Sequence, residues 1–243
     1  MELIIDFFKS MDYLGPNCKE ESVKVINSLS ITNKNIKIAD IGCGTGRPTE
    51  ILANELNGKI IAIDLAEEFL EPAKKRFNDK NLNIETSCQD MGNLNFDVEE
   101  FDLIYSEGSI YNIGFEKGIN YWKKFIKLNG YLVVAEISWL TEKRPKKIQE
   151  YWDYYYKEID TCENKIKQLK KAGYKVIKHF IVPPKCWENY YNHVEKYFNP
   201  FLKKHEYSKE AIEFIEEFKT EMDIYNEFND YFSYVFYIAQ RIV

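Results

Sequence analysis

Between residues 36 and 137 the chain alternates two hydrophobic periods. Short runs of isoleucine, valine, leucine and aromatic residues at 36–41, 60–64, 82–86, 101–106 and 131–137 have the length and composition of buried strands. Between them, apolar residues recur every three or four positions over 48–57, 66–78 and 116–128, the spacing of amphipathic helices. A longer helical pattern over 145–172 is interrupted near Asp160, and further strands are expected at 174–181 and 232–239. Asn129-Gly130 and Ala172-Gly173 stand where glycine caps end helices just before strands. Strands alternating with helices predict an α/β fold, a parallel sheet covered on both faces.

Two segments fall outside the alternation. In the first, residues 1–30, Ile4, Phe7, Phe8 and Met11 share one helical face, and Leu14-Gly15-Pro16 breaks the helix. In the second, residues 185–229, Ala211, Ile215, Phe218, Met222 and Tyr225 lie at helical spacing, and Pro183-Pro184 and Pro200 punctuate the approach. The expected layout is one domain over 1–243: a helical N-terminal cover (1–30), a core (31–184), a helical insertion or lid (185–229) and a last strand (230–243).

Composition changes this picture little. A formal net charge of −6 gives no support to a nucleic-acid partner. No run approaches the roughly 20 apolar residues of a membrane span, and MELIIDFFKS lacks the basic leader of a signal peptide, so a cytoplasmic location is expected. The five cysteines, 18, 43, 88, 162 and 186, are scattered without a CxxC pair, which suggests neither a disulfide framework nor a metal site. The oligomeric state stays open, a homodimer included.

The chemistry concentrates at 36–46, IKIADIGCGTG, where a buried strand runs into glycines 42, 44 and 46. Ligands of open parallel sheets bind beyond the carboxyl ends of the strands. The dinucleotide fingerprint GxGxxG would place its third glycine one residue later, which disfavours a nicotinamide-dependent oxidoreductase, the alternative reading. Asp64 ends the second strand in IIAIDLA, where a carboxylate can accept from both hydroxyls of a ribose, although the same position also serves as a helix N-cap.

The pattern DxGxGxG at 40–46 resembles the first motif of the class I S-adenosylmethionine-dependent methyltransferases. Further landmarks follow in the family's order: Asp64, Asp90-Met91 after the third strand, FDLIYS entering Glu107 at the fourth, and LNGYLVVAE leading the fifth. MDYLGP (11–16), SEGSIYNIGFEKG (106–118) and EISW (136–139) resemble a bacterial small-molecule branch, similar in layout to quinone-biosynthesis and phosphoethanolamine or glycine methyltransferases. The resemblance implies a Rossmann-like, seven-stranded, mostly parallel sheet with helices on both faces, an antiparallel last strand and helical cap segments. It implies S-adenosylmethionine as cofactor, S-adenosylhomocysteine as product and a small-molecule acceptor. A regulator that binds the cofactor without transferring the methyl group is the competing reading from another class.

By the same resemblance the cofactor is expected to meet Tyr13, Asp40, Gly42, Cys43, Gly44, Gly46, Asp64, Leu65, Gln89, Asp90, Met91, Ser106 and Glu107. Asp90 would accept from the adenine amino group and Met91 would lie against the ring. Methyl transfer from a sulfonium is an in-line displacement that needs alignment and a dry pocket, with a general base only where the nucleophile arrives protonated. Glu107 and Tyr111 are the catalytic candidates, and Tyr111, Asn112, Glu136, Trp139, Trp187 and His193 the acceptor-side candidates. Carboxylates beside aromatic rings suit an amine or ammonium acceptor.

Overall fold

The computed structural model describes residues 2–31 and 35–243; Met1 and residues 32–34, in the expected cover and core, lie outside the described residues. The sheet runs in the order β3-β2-β1-β4-β5-β8-β7. Its strands are β1 (Ile36–Ile41), β2 (Gly58–Asp64), β3 (Ile84–Cys88), β4 (Phe101–Glu107), β5 (Ile126–Trp139), β7 (Tyr174–Ile181) and β8 (Phe232–Arg241). A two-residue strand, β6 (Asp160–Thr161), pairs with β5 at Ser138 and Trp139, beyond the point where β4 stops. Only β8 runs antiparallel, to both β5 and β7. The expected seven strands are present, and β6 is an eighth that two residues cannot signal.

The strands are apolar throughout because both faces are covered. On one face Ile38, Leu103, Tyr105, Val133, Ile137 and Phe236 pack against α2 (Lys19–Ile26), α3 (Arg47–Glu55) and the cap helices; on the other, Ile104, Leu132, Val134 and Tyr237 pack against α5 (Phe115–Trp122) and α7 (Cys162–Lys171). Helix α4 (Glu67–Asp79) covers the β2–β3 edge through Leu70, Ala73 and Phe77. Helix α6 (Lys146–Tyr155) and α7 flank β6, and the Thr161 hydroxyl caps α7 by accepting from Asn164 N at 3.3 Å.

Two expectations about local structure are corrected. The helix expected over 116–128 ends at Trp122, followed by a 3-10 turn at Lys123–Phe125, and Ile126 already belongs to β5. Asn129-Gly130 is therefore not a helix cap. Phe101 pairs with Ile126 and Leu103 with Tyr131, so residues 127–130 bulge opposite Asp102. Asn129 takes a φ of 65° there, a conformation asparagine tolerates, and Lys127 holds the bulge to Asp102 at 2.7 Å. Pro200 lies inside α8 (Pro184–Lys204) instead of punctuating its approach. Pro184 does start that helix, at a position whose amide would be unpaired in any case.

The two cap segments form one packed body. Phe7 of α1 (Glu2–Phe8) sits among Phe198 and Phe201 of α8 and Phe214 and Phe218 of α9 (Lys209–Phe228), with ring centroids 5.0 to 6.1 Å apart. Asp6 binds Lys204 and His205 at the end of α8. A disulfide, Cys18–Cys186, joins the cover to α8, against the expectation that no bridge forms. Spacing alone could not reveal it, because the partners stand 168 residues apart and meet only when both segments fold over the same sheet edge.

Candidate active site

β1 ends in the glycine turn, whose Gly42 and Cys43 amides donate to Ile63 O of β2 at 2.8 and 2.9 Å. Gly42 and Gly44 have φ of 76° and 53°, left-handed values that favour glycine. A Cβ at Gly42 would stand 2.2 Å from Ser109 Oγ, and one at Gly44 2.4 Å from Leu14 Cδ1. The turn is therefore clasped between the loop after β4 and the N-terminal cover. Thr45 Oγ1 donates to Met11 O at 2.9 Å, and the Arg47 guanidinium lies 5.4 Å from the Tyr13 ring centroid. Ser109 Oγ bridges Ile41 O and Ser106 Oγ, joining the ends of β1 and β4.

Around this turn several acceptor atoms converge. Asp40 is buried; its Oδ2 accepts from Thr49 at 2.6 Å and its Oδ1 has no partner. Burial pushes its carboxyl up to about 7, and the charges of Glu107 and Asp64 add to this against the Thr49 bond. Glu107 accepts from Tyr105 at 2.7 Å and from Asn17, and burial raises its pKa as well. Asn17 Oδ1 is buried without a partner. Among the described residues Asp40, Asp64 and Glu107 form no ion pair. Buried acceptors without a cation are costly in isolation, and a ligand's ammonium group would satisfy them, which fits the methionine end of S-adenosylmethionine.

The nucleoside half fits the neighbouring strand ends. Asp64 accepts from Gly44 N at 2.9 Å and Ala66 N at 3.1 Å, which fixes its carboxylate while leaving each oxygen a further lone pair for a ribose hydroxyl. The helix N-cap alternative for Asp64 is not realised: α4 has Ala66 as its N-cap, without a side-chain cap bond. Leu65 is 61% exposed beside it, an apolar surface for a flat ring. Asp90 is exposed and caps its own turn through Gly92 N at 2.7 Å; Met91 is half-buried. Gln89 braces the loop instead, its Oε1 accepting from Asn95 N at 2.7 Å. Cys43 is buried with its thiol pushed up by burial, so the turn uses its backbone. Gly46 faces Phe77 and Ala73 of α4, away from Leu14.

Glu136 and Tyr111, expected on the acceptor side, lie about the ends of β4 and β5. Glu136 is fully buried; its Oε1 accepts from Tyr156 OH at 2.5 Å and faces Lys165 Nζ at 3.4 Å, while Oε2 has no partner. Burial raises Glu136 and lowers Lys165, each against the attraction of the other. Lys165 also donates to Glu158 O at 3.0 Å and sits 4.4 Å from the Phe115 ring centroid. Tyr111 is 42% exposed and packs edge-on to Tyr156 at 6.1 Å.

Four sequence candidates sit differently from the rest. Trp139 is buried in the core under the Arg144 guanidinium, 4.1 Å from its ring centroid. Asn112 caps the turn after β4 by donating to Ser109 O at 2.9 Å. Trp187 is buried, stacked on Tyr225 at 4.2 Å and hydrogen-bonded to Ser233, which places it beneath the site as support for Tyr234. His193 lies edge-on to Tyr13 at 5.4 Å, on the cofactor side; its Nε2 is unpaired and burial lowers its pKa. Sequence reasoning missed Asn17, Tyr156 and Lys165. Asn17 follows MDYLGP directly, a signal that was available; the other two occupy a stretch that read as helix packing or a solvated face.

Residues 38–130 match a family model described as a methyltransferase domain. The ubiquinone biosynthesis O-methyltransferase of Coxiella burnetii is 32% identical over 103 residues, 39% of this chain and 43% of that protein. The chain thus spans less than half the length of that curated relative. The phosphoethanolamine N-methyltransferase of Plasmodium falciparum is 26% identical over 85% of this chain and 74% of its own length. In fold, an S-adenosylmethionine-dependent methyltransferase from Geobacter sulfurreducens, solved with S-adenosylhomocysteine, superposes with a TM-score of 0.85 at 13% identity, covering 98% of this chain and 97% of that one. The motif order, the strand order with its single antiparallel member and the family match over residues 38–130 all meet on the same glycine turn, and this part of the chain is similar to S-adenosylmethionine-dependent methyltransferases.

Proposed function

We propose that this chain transfers the methyl group of S-adenosylmethionine to a small-molecule amine. The observation that carries the reading is the cluster of cation-free acceptors beside the glycine turn: the buried, unpartnered Asp40 Oδ1 and Asn17 Oδ1, and the half-buried Glu107. When bound, S-adenosylmethionine supplies a methyl group already activated by its sulfonium. Asp40, Asn17 and Glu107 hold the cofactor's ammonium end, Asp64 holds its ribose, and Leu65 and Met91 border its adenine. Glu136 Oε2 and the Tyr111 ring hold the acceptor at the ends of β4 and β5. Glu136 takes the proton of an acceptor that arrives as ammonium. Glu107 has the same chemistry, but Asn17 and Tyr105 already occupy it, which favours Glu136 as the base.

In this reading residues 1–30 and 185–229 together form the roof that keeps water from the reacting atoms. The small-molecule names of the two relatives support an acceptor of that size. No helix among the described residues is long and apolar enough to cross a membrane. The expected cytoplasmic setting is not carried into the proposal, because the Cys18–Cys186 bridge argues against it: cytosolic thiols are held reduced.

Calorimetry with S-adenosylmethionine, S-adenosylhomocysteine and NAD tests the cofactor, and tighter binding of NAD would end the proposal. Release of S-adenosylhomocysteine is then followed across amines, phenols, thiols and carboxylates. Turnover of amines supports the reading. Turnover of phenols or thiols alone would move the acceptor class, and silence throughout would favour a regulator.

A further inference from the structure

Helix α9 places one carboxylate among tyrosines. Glu221 Oε1 accepts from Tyr191 OH at 3.2 Å and, among the described residues, forms no ion pair. Tyr191 packs on Tyr190 at 5.4 Å and on Trp187 at 5.8 Å, and Trp187 in turn supports the Tyr234 ring at 5.6 Å. Tyr234 stands beside Gly108, at the carboxyl end of β4: a Cβ there would lie 3.8 Å from its hydroxyl. The tyrosines raised by burial feel the same charges. Glu136 and Glu221 both act on Tyr111 and on Tyr234, and Glu221 acts on Tyr190. Tyr111 and Tyr234 thus lie in the field of two carboxylates, one on β5 and one on α9, and among the described residues Tyr191 alone hydrogen-bonds to Glu221.

An acidic pair is not a site by itself. Here a second feature points to a ligand: Glu136 is fully buried, and its Oε2 has no partner although Oε1 has two. Lys165 offsets the charge of Glu136, whereas no described cation offsets Glu221. A tyrosine-ringed carboxylate attracts an organic cation through both charge and ring faces.

We propose that Glu221, with Tyr190, Tyr191 and Tyr234, forms the ammonium subsite that selects a positively charged acceptor, so that the insertion sets the acceptor's charge. This inference rests on the amine reading above and adds a specificity determinant on α9 that the core fold does not contain.

The test uses the full chain and three probes, ethanolamine, N,N-dimethylethanolamine and choline, against 3,3-dimethylbutan-1-ol, the uncharged carbon analogue of choline. Binding is measured by calorimetry or ligand-observed NMR with and without S-adenosylhomocysteine. At least one cation should bind about tenfold or more tighter than the neutral analogue, and Glu221→Gln should remove about tenfold of that affinity while leaving the neutral analogue unchanged. Comparable affinity for cations and the neutral analogue overturns the proposal in the wild type alone, whether or not the variant folds. An effect of Glu221→Gln below twofold, in a variant that melts normally, overturns it too. Cofactor binding is read in the same samples. Loss of cofactor binding with cation preference retained would sink the methyltransferase reading and leave the subsite standing; the reverse result would do the opposite.

Discussion

The Cys18–Cys186 bridge gives the sharpest quantitative expectation. It closes a loop over a sequence separation of 168 residues, with Cys186 buried and Cys18 half-buried. In the chain-entropy account, a loop of that length removes about 17 cal/mol/K from the unfolded ensemble, or about 5 kcal/mol at 25 °C, as an upper limit. For a domain of this size each kcal/mol moves the melting point by about 2–4 °C, so the pair Cys18→Ser and Cys186→Ser should melt about 10–20 °C lower. The loss also has an address. Met11 O and Leu14 clasp the glycine turn, Asn17 donates to Glu107 at the end of β4, and the bridge is what ties this segment to α8. The far side of the cap is still held by the phenylalanine cluster and by Asp6, so the fold should survive while the cover loosens. Calorimetry of wild type with and without a phosphine reductant, beside the double serine variant, measures the first effect. Stopped-flow release of S-adenosylhomocysteine measures the second, which should accelerate. A melting point within 2 °C of wild type, or an unchanged release rate, would refute the assignment of the bridge as the cover's anchor.

Other expectations follow from single contacts. Asp64→Ala would remove the carboxylate proposed to hold the cofactor's ribose and should weaken cofactor binding by at least about tenfold in calorimetry, since a single hydrogen bond to a charged group is worth roughly 1.5–3 kcal/mol. Gly44→Ala places a Cβ 2.4 Å from Leu14 at a φ of 53° and should cost about 1–2 kcal/mol of stability, partly restored by adding Leu14→Ala. Burial holds Glu221 at about 7, against the Tyr191 hydrogen bond, so the folded protein keeps a proton there that the unfolded chain has already released above its ordinary carboxylate range. Stability from that group is therefore full at acid pH and falls as pH rises through 7, while affinity for a cation rises over the same interval. The facing tyrosines 111, 151, 190, 191 and 234 are all raised from an already basic value and stay neutral. Asp40 is also pushed up to about 7, Asp64, Glu107 and Glu136 are raised and Lys165 is lowered, so Glu221→Gln should remove the share of Glu221 alone and leave that of the other groups.

The parallel sheet and its cofactor edge were legible because their causes are local. A strand buried on both faces must be apolar, a tight left-handed turn favours glycine, and a strand-end carboxylate is tethered to the turn beside it; β1, Gly42, Gly44 and Asp64 all follow from neighbours in the chain. The helix misplaced at 123–128 failed for the opposite reason. Its apolar residues suited a helix as well as a strand, and only pairing of Phe101 with Ile126 decides between them.

What the tertiary structure alone decided is the acceptor side. Glu136 and Trp139 are three residues apart in one strand, so chain position could not separate a site residue from a core residue; pleat and covering helices put one against Tyr156 and Lys165 and the other under Arg144. Glu221, Tyr191, Lys165 and the Cys18–Cys186 bridge depend on contacts across 29 to 168 residues of sequence. The sequence by itself determined the glycine turn and the strand-end carboxylate proposed to hold a nucleoside cofactor, since both are built at consecutive turns of one sheet edge. The proposed acceptor side draws on separate segments of the chain, and its charge exists only once they pack together.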